Sequence, residues 1–156
     1  MPNYWLVKSE PDVYSIDDLK KDKKTYWDGV RNYQARNYMR DEMKKGDQVL
    51  FYHSNTDVVG VYGVCEVVKE GYPDFTAFDP DDNHYDPKSK KDNPTWIMVD
   101  VKFVEKFKNP VSLNSIKENQ KLQNMKLVQR GNRLSVMPVT KAEFDEIIKM
   151  SSTVNE

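Results

Sequence analysis

Gln48-Val49-Leu50-Phe51-Tyr52-His53, the polar quartet Ser54-Asn55-Thr56-Asp57, and Val58-Val59-Gly60-Val61-Tyr62-Gly63-Val64-Cys65-Glu66-Val67-Val68 follow one another without a break. Two β-branched and aromatic runs of strand length, separated by turn formers, predict a β-hairpin. Glycine at 60 and 63 removes side-chain packing from the second strand at two points, which predicts a bulge or a tight bend at a barrel corner. The most distinct signal is thus a long antiparallel pair, and no regular strand–helix–strand alternation surrounds it. The predicted class is α+β, a small curved sheet or barrel with short helices.

Working outward toward the N-terminus, Tyr4–Val7 reads as a strand stopped by Ser9-Glu10-Pro11. Ser15-Ile16-Asp17-Asp18 is a loose capping box, predicting a short helix with Ile16 and Leu19 inward. Gly29 marks a turn after Tyr26-Trp27-Asp28. Asn32 then caps a helix expected to run to about Lys45, with Ala35, Tyr38, Met39 and Met43 on one stripe and Gly46 as its stop. Toward the C-terminus, residues 71–93 form a Pro- and Asp-rich connection, and a loop of that length is usually functional or partly disordered. A strand is predicted over Thr95–Phe107 and a short helix over Ser112–Glu118. Another strand over Arg133–Met137 is ended by Pro138, and a helix burying Phe144, Ile147 and Ile148 follows the capping box Thr140-Lys141-Ala142-Glu143. Residues 1–150 read as one domain and 151–156 as a frayed tail.

Composition narrows the function. The 156 residues hold one cysteine and two histidines, which argues against a disulfide, a zinc site or a non-haem iron site. No cofactor is expected. No apolar run approaches the roughly 20 residues of a membrane span, and the first residues lack a signal peptide's pattern. The expected setting is cytoplasmic. With no basic extension before the first strand, the chain reads as a stand-alone, bacterial-type protein, or a nuclear one in a eukaryote. The phosphate-loop, dinucleotide, zinc-protease and serine-elbow motifs are absent. A Ser–His–Asp arrangement around His84-Tyr85-Asp86 is neither supported nor excluded, since triads are recognised in space. Cys65, among β-branched neighbours, reads as a small buried group.

Charge is balanced overall, with a formal net of −1, but not locally. Residues 20–45 carry nine Lys/Arg and four Asp/Glu, and residues 101–135 carry eight and two. Between them, residues 70–93 carry seven acids and three lysines. This pattern suits a focused positive face, and equally an ordinary solvated surface. Aromatic residues reach 12%, enough that some rings are free to face a ligand. They interleave with Arg and Asn in Thr25-Tyr26-Trp27-Asp28-Gly29-Val30-Arg31-Asn32-Tyr33-Gln34-Ala35-Arg36-Asn37-Tyr38. Such residues stack on bases and hydrogen-bond their edges or phosphates. The same rings can serve as core anchors, and the residues alone leave both roles open.

Four segments together resemble the EVE domain family of the PUA-like superfamily. They are Tyr4-Trp5-Leu6-Val7-Lys8-Ser9-Glu10-Pro11, Trp27 through Asn37, Phe51-Tyr52-His53-Ser54 and Arg133-Leu134-Ser135-Val136-Met137-Pro138. The resemblance spans about residues 3 to 150; His84-Tyr85-Asp86-Pro87 and Asn93-Pro94 through Val101 also fit it. It implies a curved, PUA-like sheet surrounded by short helices. The implied function is non-catalytic binding of nucleic acid through a flipped, modified base, of the 5-methylcytosine type in DNA or a modified base in RNA. By similarity to YTH domains, Trp27 is expected to wall an aromatic pocket, with Tyr85 as a further ring. Ser9, Val30, Asn32, His53 and Ser54 are expected beside the base, and Lys8, Arg31, Arg36 and Arg133 on phosphates. Related ASCH domains make an enzyme acting on RNA or a nucleotide the alternative, with a protein-interaction module as the third.

Overall fold

The computed structural model describes residues 3–152. Six strands form one mixed sheet: β1 (Tyr4–Ser9), β2 (Lys24–Trp27), β3 (Gln48–His53), β4 (Gly60–Pro73), β5 (Ile97–Ser112) and β6 (Val136–Val139). Their spatial order is β2-β5-β4-β3-β1-β6. The fold is α+β, and β2 and β6 remain the two edges of a curved sheet rather than closing a barrel.

The predicted hairpin is the middle of this sheet. β3 and β4 pair antiparallel from Gln48 opposite Glu66 to His53 opposite Gly60, with a register shift between Phe51 and Tyr52. Both glycines are close-approach positions, and Gly63 also lies at a bulge. A Cβ on Gly60 would lie 2.2 Å from the Val111 carbonyl oxygen, and one on Gly63 would lie 2.3 Å from that of Glu105. The β4–β5 register shifts between Val61 and Gly63. Those irregularities twist and bend the sheet.

Alternation along the strands buries both faces. Trp5, Val7, Val49, Phe51, Cys65 and Val67 pack on one side with Ile16 and Leu19 of α1 (Ile16–Asp22) and Ala35 and Met39 of α2 (Tyr33–Asp41). Leu6, Leu50, Val61 and Val64 pack on the other with Ile116 of α3 (Leu113–Glu118) and Phe144 and Ile147 of α4 (Lys141–Ser152). Cys65 is wholly buried, and burial pushes its thiol pKa up.

Several boundaries differ from the sequence reading, each for a physical reason. α2 ends at Asp41 rather than near Lys45. Met43 N–H bonds back to the Tyr38 carbonyl, and the buried Asp47 carboxylate takes the Lys44 amide at 2.9 Å. That same carboxylate accepts from the Trp5 indole at 2.9 Å, so a tertiary acceptor competes with the last helical turn. Lys24–Trp27 is a strand, not only a turn; as an edge it pairs with β5 alone and lacks a simple apolar alternation. Pro138 lies inside β6, opposite Trp5. An edge strand tolerates proline because one side of its ladder is unpaired. β5 extends five residues beyond Phe107, and Ile148 is half-buried rather than in the core. The last helix continues through Ser152 with Ser151 buried, two residues past the expected boundary at 150; the rest of the expected tail, 153–156, lies outside the described residues. Among the described residues, no helix is long and apolar enough to cross a membrane.

Candidate functional site

An open cleft of about 710 Å³ lies where three of the four sequence segments converge. Lys8, Ser9 and Glu10 come from the end of β1; Thr25 through Val30 come from β2 and the turn after it; Ser135 precedes β6. Val13, Tyr14 and Asp22 close one side, and His84 reaches in from the acidic connection. The remaining segment lies beneath the cleft: the Phe51 ring meets the Trp27 ring edge-on at 5.3 Å.

Trp27 lines the cleft but is only 8% exposed and belongs to the core. Tyr14 stands at 84° to it with ring centroids 6.5 Å apart, so the two rings form a corner rather than a free platform. The Tyr14 hydroxyl donates to Asp22 at 2.8 Å. Burial first, and then that carboxylate, push its pKa up to about 12. Ser9 and Val30, both expected beside the base, line the cleft. The Ser9 hydroxyl donates to the Tyr14 carbonyl at 2.7 Å, tying the Glu10–Tyr14 turn to β1.

Of the other predicted base contacts, Asn32 and His53 have side-chain partners within the protein. Asn32 is the N-cap of α2, its side-chain oxygen accepting from Ala35 N–H at 3.0 Å. His53 is 5% exposed, and its Nε2 accepts the first amide of α1, Ile16 N–H, at 3.1 Å. Its ring stacks on Tyr62 at 4.0 Å, and burial lowers its pKa, which suits a neutral acceptor. Ser54 donates its backbone N–H to the Ser9 carbonyl and does not line the cleft. Tyr85 is 41% exposed and also lies outside the lining, whereas its neighbour His84 is part of it.

Of the predicted phosphate contacts, Lys8 lines the cleft, with Nζ 5.6 Å over the Tyr52 ring and a pKa lowered by burial. Arg133 is exposed, two residues before the cleft residue Ser135. Arg31 and Arg36 instead clasp the acidic connection. Arg31 donates to Asp74 at 3.0 Å and to the His84 carbonyl at 2.6 Å, and its guanidinium lies 5.3 Å over Trp96. Arg36 donates to the Thr95 carbonyl at 2.6 Å. The Trp96 indole in turn donates to Asp86 at 2.7 Å. Residues 74–96 are therefore fastened onto the Trp27–Arg36 segment, and this carries His84 to the cleft.

Asp28, Gly29, Tyr14 and His84 were not among the expected contacts. Gly29 and His84 are coupled: Gly29 has φ +77°, and a Cβ there would lie 2.5 Å from His84 Nε2. Gly29→Ala is expected to destabilise the fold by about 1–3 kcal/mol through that backbone strain and to displace the imidazole. Urea unfolding checks the first effect, and the His84 ring signals in NMR check the second. The glycine after Trp27-Asp28 was the signal in the sequence that the backbone turns here.

A family model for the EVE domain matches residues 3–150. Thymocyte nuclear protein 1 of Rattus norvegicus is 46% identical over 169 aligned positions, covering 96% of this chain and 74% of that protein. Among solved structures, a hypothetical protein from Leishmania major is 51% identical with TM-score 0.92, covering 97% of this chain and 95% of the other. The human THYN1 protein, solved in complex with 5-methylcytosine-containing DNA, is 44% identical with TM-score 0.92, covering 98% and 99%.

Proposed function

The chain belongs to the EVE domain family, and on that premise we propose that it is a non-catalytic reader of a modified base in DNA, 5-methylcytosine foremost, held in the cleft between Lys8-Ser9, Tyr14, Trp27–Val30 and His84. The observation that carries this reading is the human relative's complex with 5-methylcytosine-containing DNA. The cleft supports it chemically. An aromatic corner offers a base one stacking contact, worth roughly 1–3 kcal/mol, against a flipping cost of a few kcal/mol. A buried methyl adds about 0.8 kcal/mol. Backbone contacts must supply the remainder. Lys8 at the cleft wall and the exposed Lys23, Lys24 and Arg133 near its edges are the groups proposed for them.

Fluorescence anisotropy at low salt, with duplexes differing only in one 5-methyl group, tests the reading. Tighter binding of the methylated duplex is expected. Equal, purely salt-driven binding of both would overturn it. Lys8→Ala is expected to weaken both duplexes and to reduce the slope of log affinity against log salt by about one, as loss of a single phosphate contact does.

A further inference from the structure

A methyl niche cannot tell 5-methylcytosine from thymine, because both carry the 5-methyl group. They differ at the 4-position, amino against carbonyl, and at N3, a bare acceptor against N–H. Discrimination therefore needs a polar group at the base edge, and the cleft offers one whose protein partners are few and weak. Its three carboxylates are Glu10, Asp22 and Asp28. Glu10 is occupied by the Asn55 amide at 2.6 Å, and Asp22 by the Tyr14 hydroxyl at 2.8 Å. The Asp28 carboxylate holds only its own backbone amide and His84 Nδ1 at 3.5 Å, longer than a normal hydrogen bond. That imidazole nitrogen is buried and makes no well-aligned hydrogen bond, although the Asp82 carboxylate also lies 3.2 Å from it.

Asp28 is also rigidly placed. On one side Trp27 pairs with Val99 in the sheet; on the other, Gly29 N–H donates to the buried Asp74 at 2.8 Å. A residue held between two such anchors presents its side chain in one direction, as recognition requires. Burial raises the Asp28 pKa, opposed by His84 and reinforced by Asp74 and Asp82. A carboxyl group that keeps or shares a proton more readily presents one acceptor and one donor.

We propose that Asp28 is the residue that separates 5-methylcytosine from thymine, accepting from the exocyclic amino group and sharing a proton with N3 of the base; this rests on the reading of the cleft as the modified-base site. Cytosine N3 is basic enough to share that proton, which gives a charge-assisted bidentate pair. Thymine O4 is not. The acidic lining from Glu10, Asp22 and Asp28 disfavours ionised phosphate in the same position, so the site takes a base and leaves phosphate to Lys8 at its wall and the basic residues near its edges.

The test uses oligonucleotides with 5-methylcytosine, cytosine, thymine or guanine at one position opposite an abasic site, which equalises the cost of flipping. The wild-type protein is expected to prefer 5-methylcytosine to thymine by about tenfold or more. In Asp28→Asn the amide can turn to match either base, so the ratio is expected to fall within about twofold. In Asp28→Ala, affinity for 5-methylcytosine is expected to drop to the thymine level. Thermal melts of both variants verify the fold. An unchanged ratio in both variants, equal wild-type binding of thymine and 5-methylcytosine, or tighter binding of guanine each overturns the role of Asp28 alone, provided 5-methylcytosine still exceeds cytosine. Wild-type binding of 5-methylcytosine no better than cytosine overturns the reader itself, and this inference with it.

Discussion

Replacing Trp27 by alanine is expected to unfold much of the protein population rather than to remove binding selectively. The ring is 8% exposed and packs against Phe51 and Tyr14 at the junction of β2 with the sheet. Truncating a buried Trp to Ala typically costs about 3–5 kcal/mol, through lost burial plus the cavity left behind. That is a large part of a stability of about 5–15 kcal/mol. Urea unfolding followed by circular dichroism should show a midpoint shifted far down. Trp27→Phe keeps one ring against Phe51 and is expected to lose much less. An unchanged midpoint in Trp27→Ala, with 5-methylcytosine binding gone, would assign the ring to the ligand instead of the core.

Asp74→Ala is expected to have a comparable effect by a different route. The Asp74 side chain has no exposed surface and accepts from Gly29 N–H at 2.8 Å, Arg31 at 3.0 Å and Thr76 N–H at 2.9 Å. Removing it strands a half-buried guanidinium and a backbone amide, a loss of about 3 kcal/mol. It also frees the connection that carries His84, so base binding and stability should fall together. Burial by itself would raise the Asp74 pKa, but the hydrogen bonds from Thr76, Gly29 and Arg31 outweigh it and hold the carboxyl below its ordinary value. The unfolded chain then takes up the proton more readily than the folded one. This contribution to stability is therefore fully present above the unfolded pKa of about 4 and is lost as pH falls through the lower folded value. Denaturation midpoints measured from pH 6 down to about 3 should show a steeper acid loss in the wild type than in Asp74→Ala.

Much of the fold was legible because local chemistry and tertiary context agree. The β3–β4 hairpin, the two tight-approach glycines, the Ser15 and Thr140 capping boxes and the Asn32 cap are all written in nearest-neighbour patterns. The cleft was legible in outline, since three of the four segments that suggested the family meet there. What was not legible was which protein partners the individual polar side chains meet. Asn32, His53, Arg31 and Arg36 look like ligand contacts by type, yet each meets a protein partner. In the other direction, His84 became a cleft residue although it lies more than fifty positions from Trp27.

The sequence by itself determined five of the six strands, the helix starts, the bend in the long hairpin and the family, because hydrophobic period, capping residues and glycine constraints act over a few neighbouring residues; the edge strand Lys24–Trp27 lacked such a pattern. Only the tertiary structure decided which polar groups face the cleft. A buried donor or acceptor must be satisfied by whichever partner the fold brings within hydrogen-bond range, and those partners lie far away in sequence: Ile16 for His53, Asp74 for Gly29 and Arg31, Thr95 for Arg36. Asp28 lines the cleft with the His84 imidazole, distant in sequence but 3.5 Å away, as its side-chain neighbour, a contact no local pattern foretold.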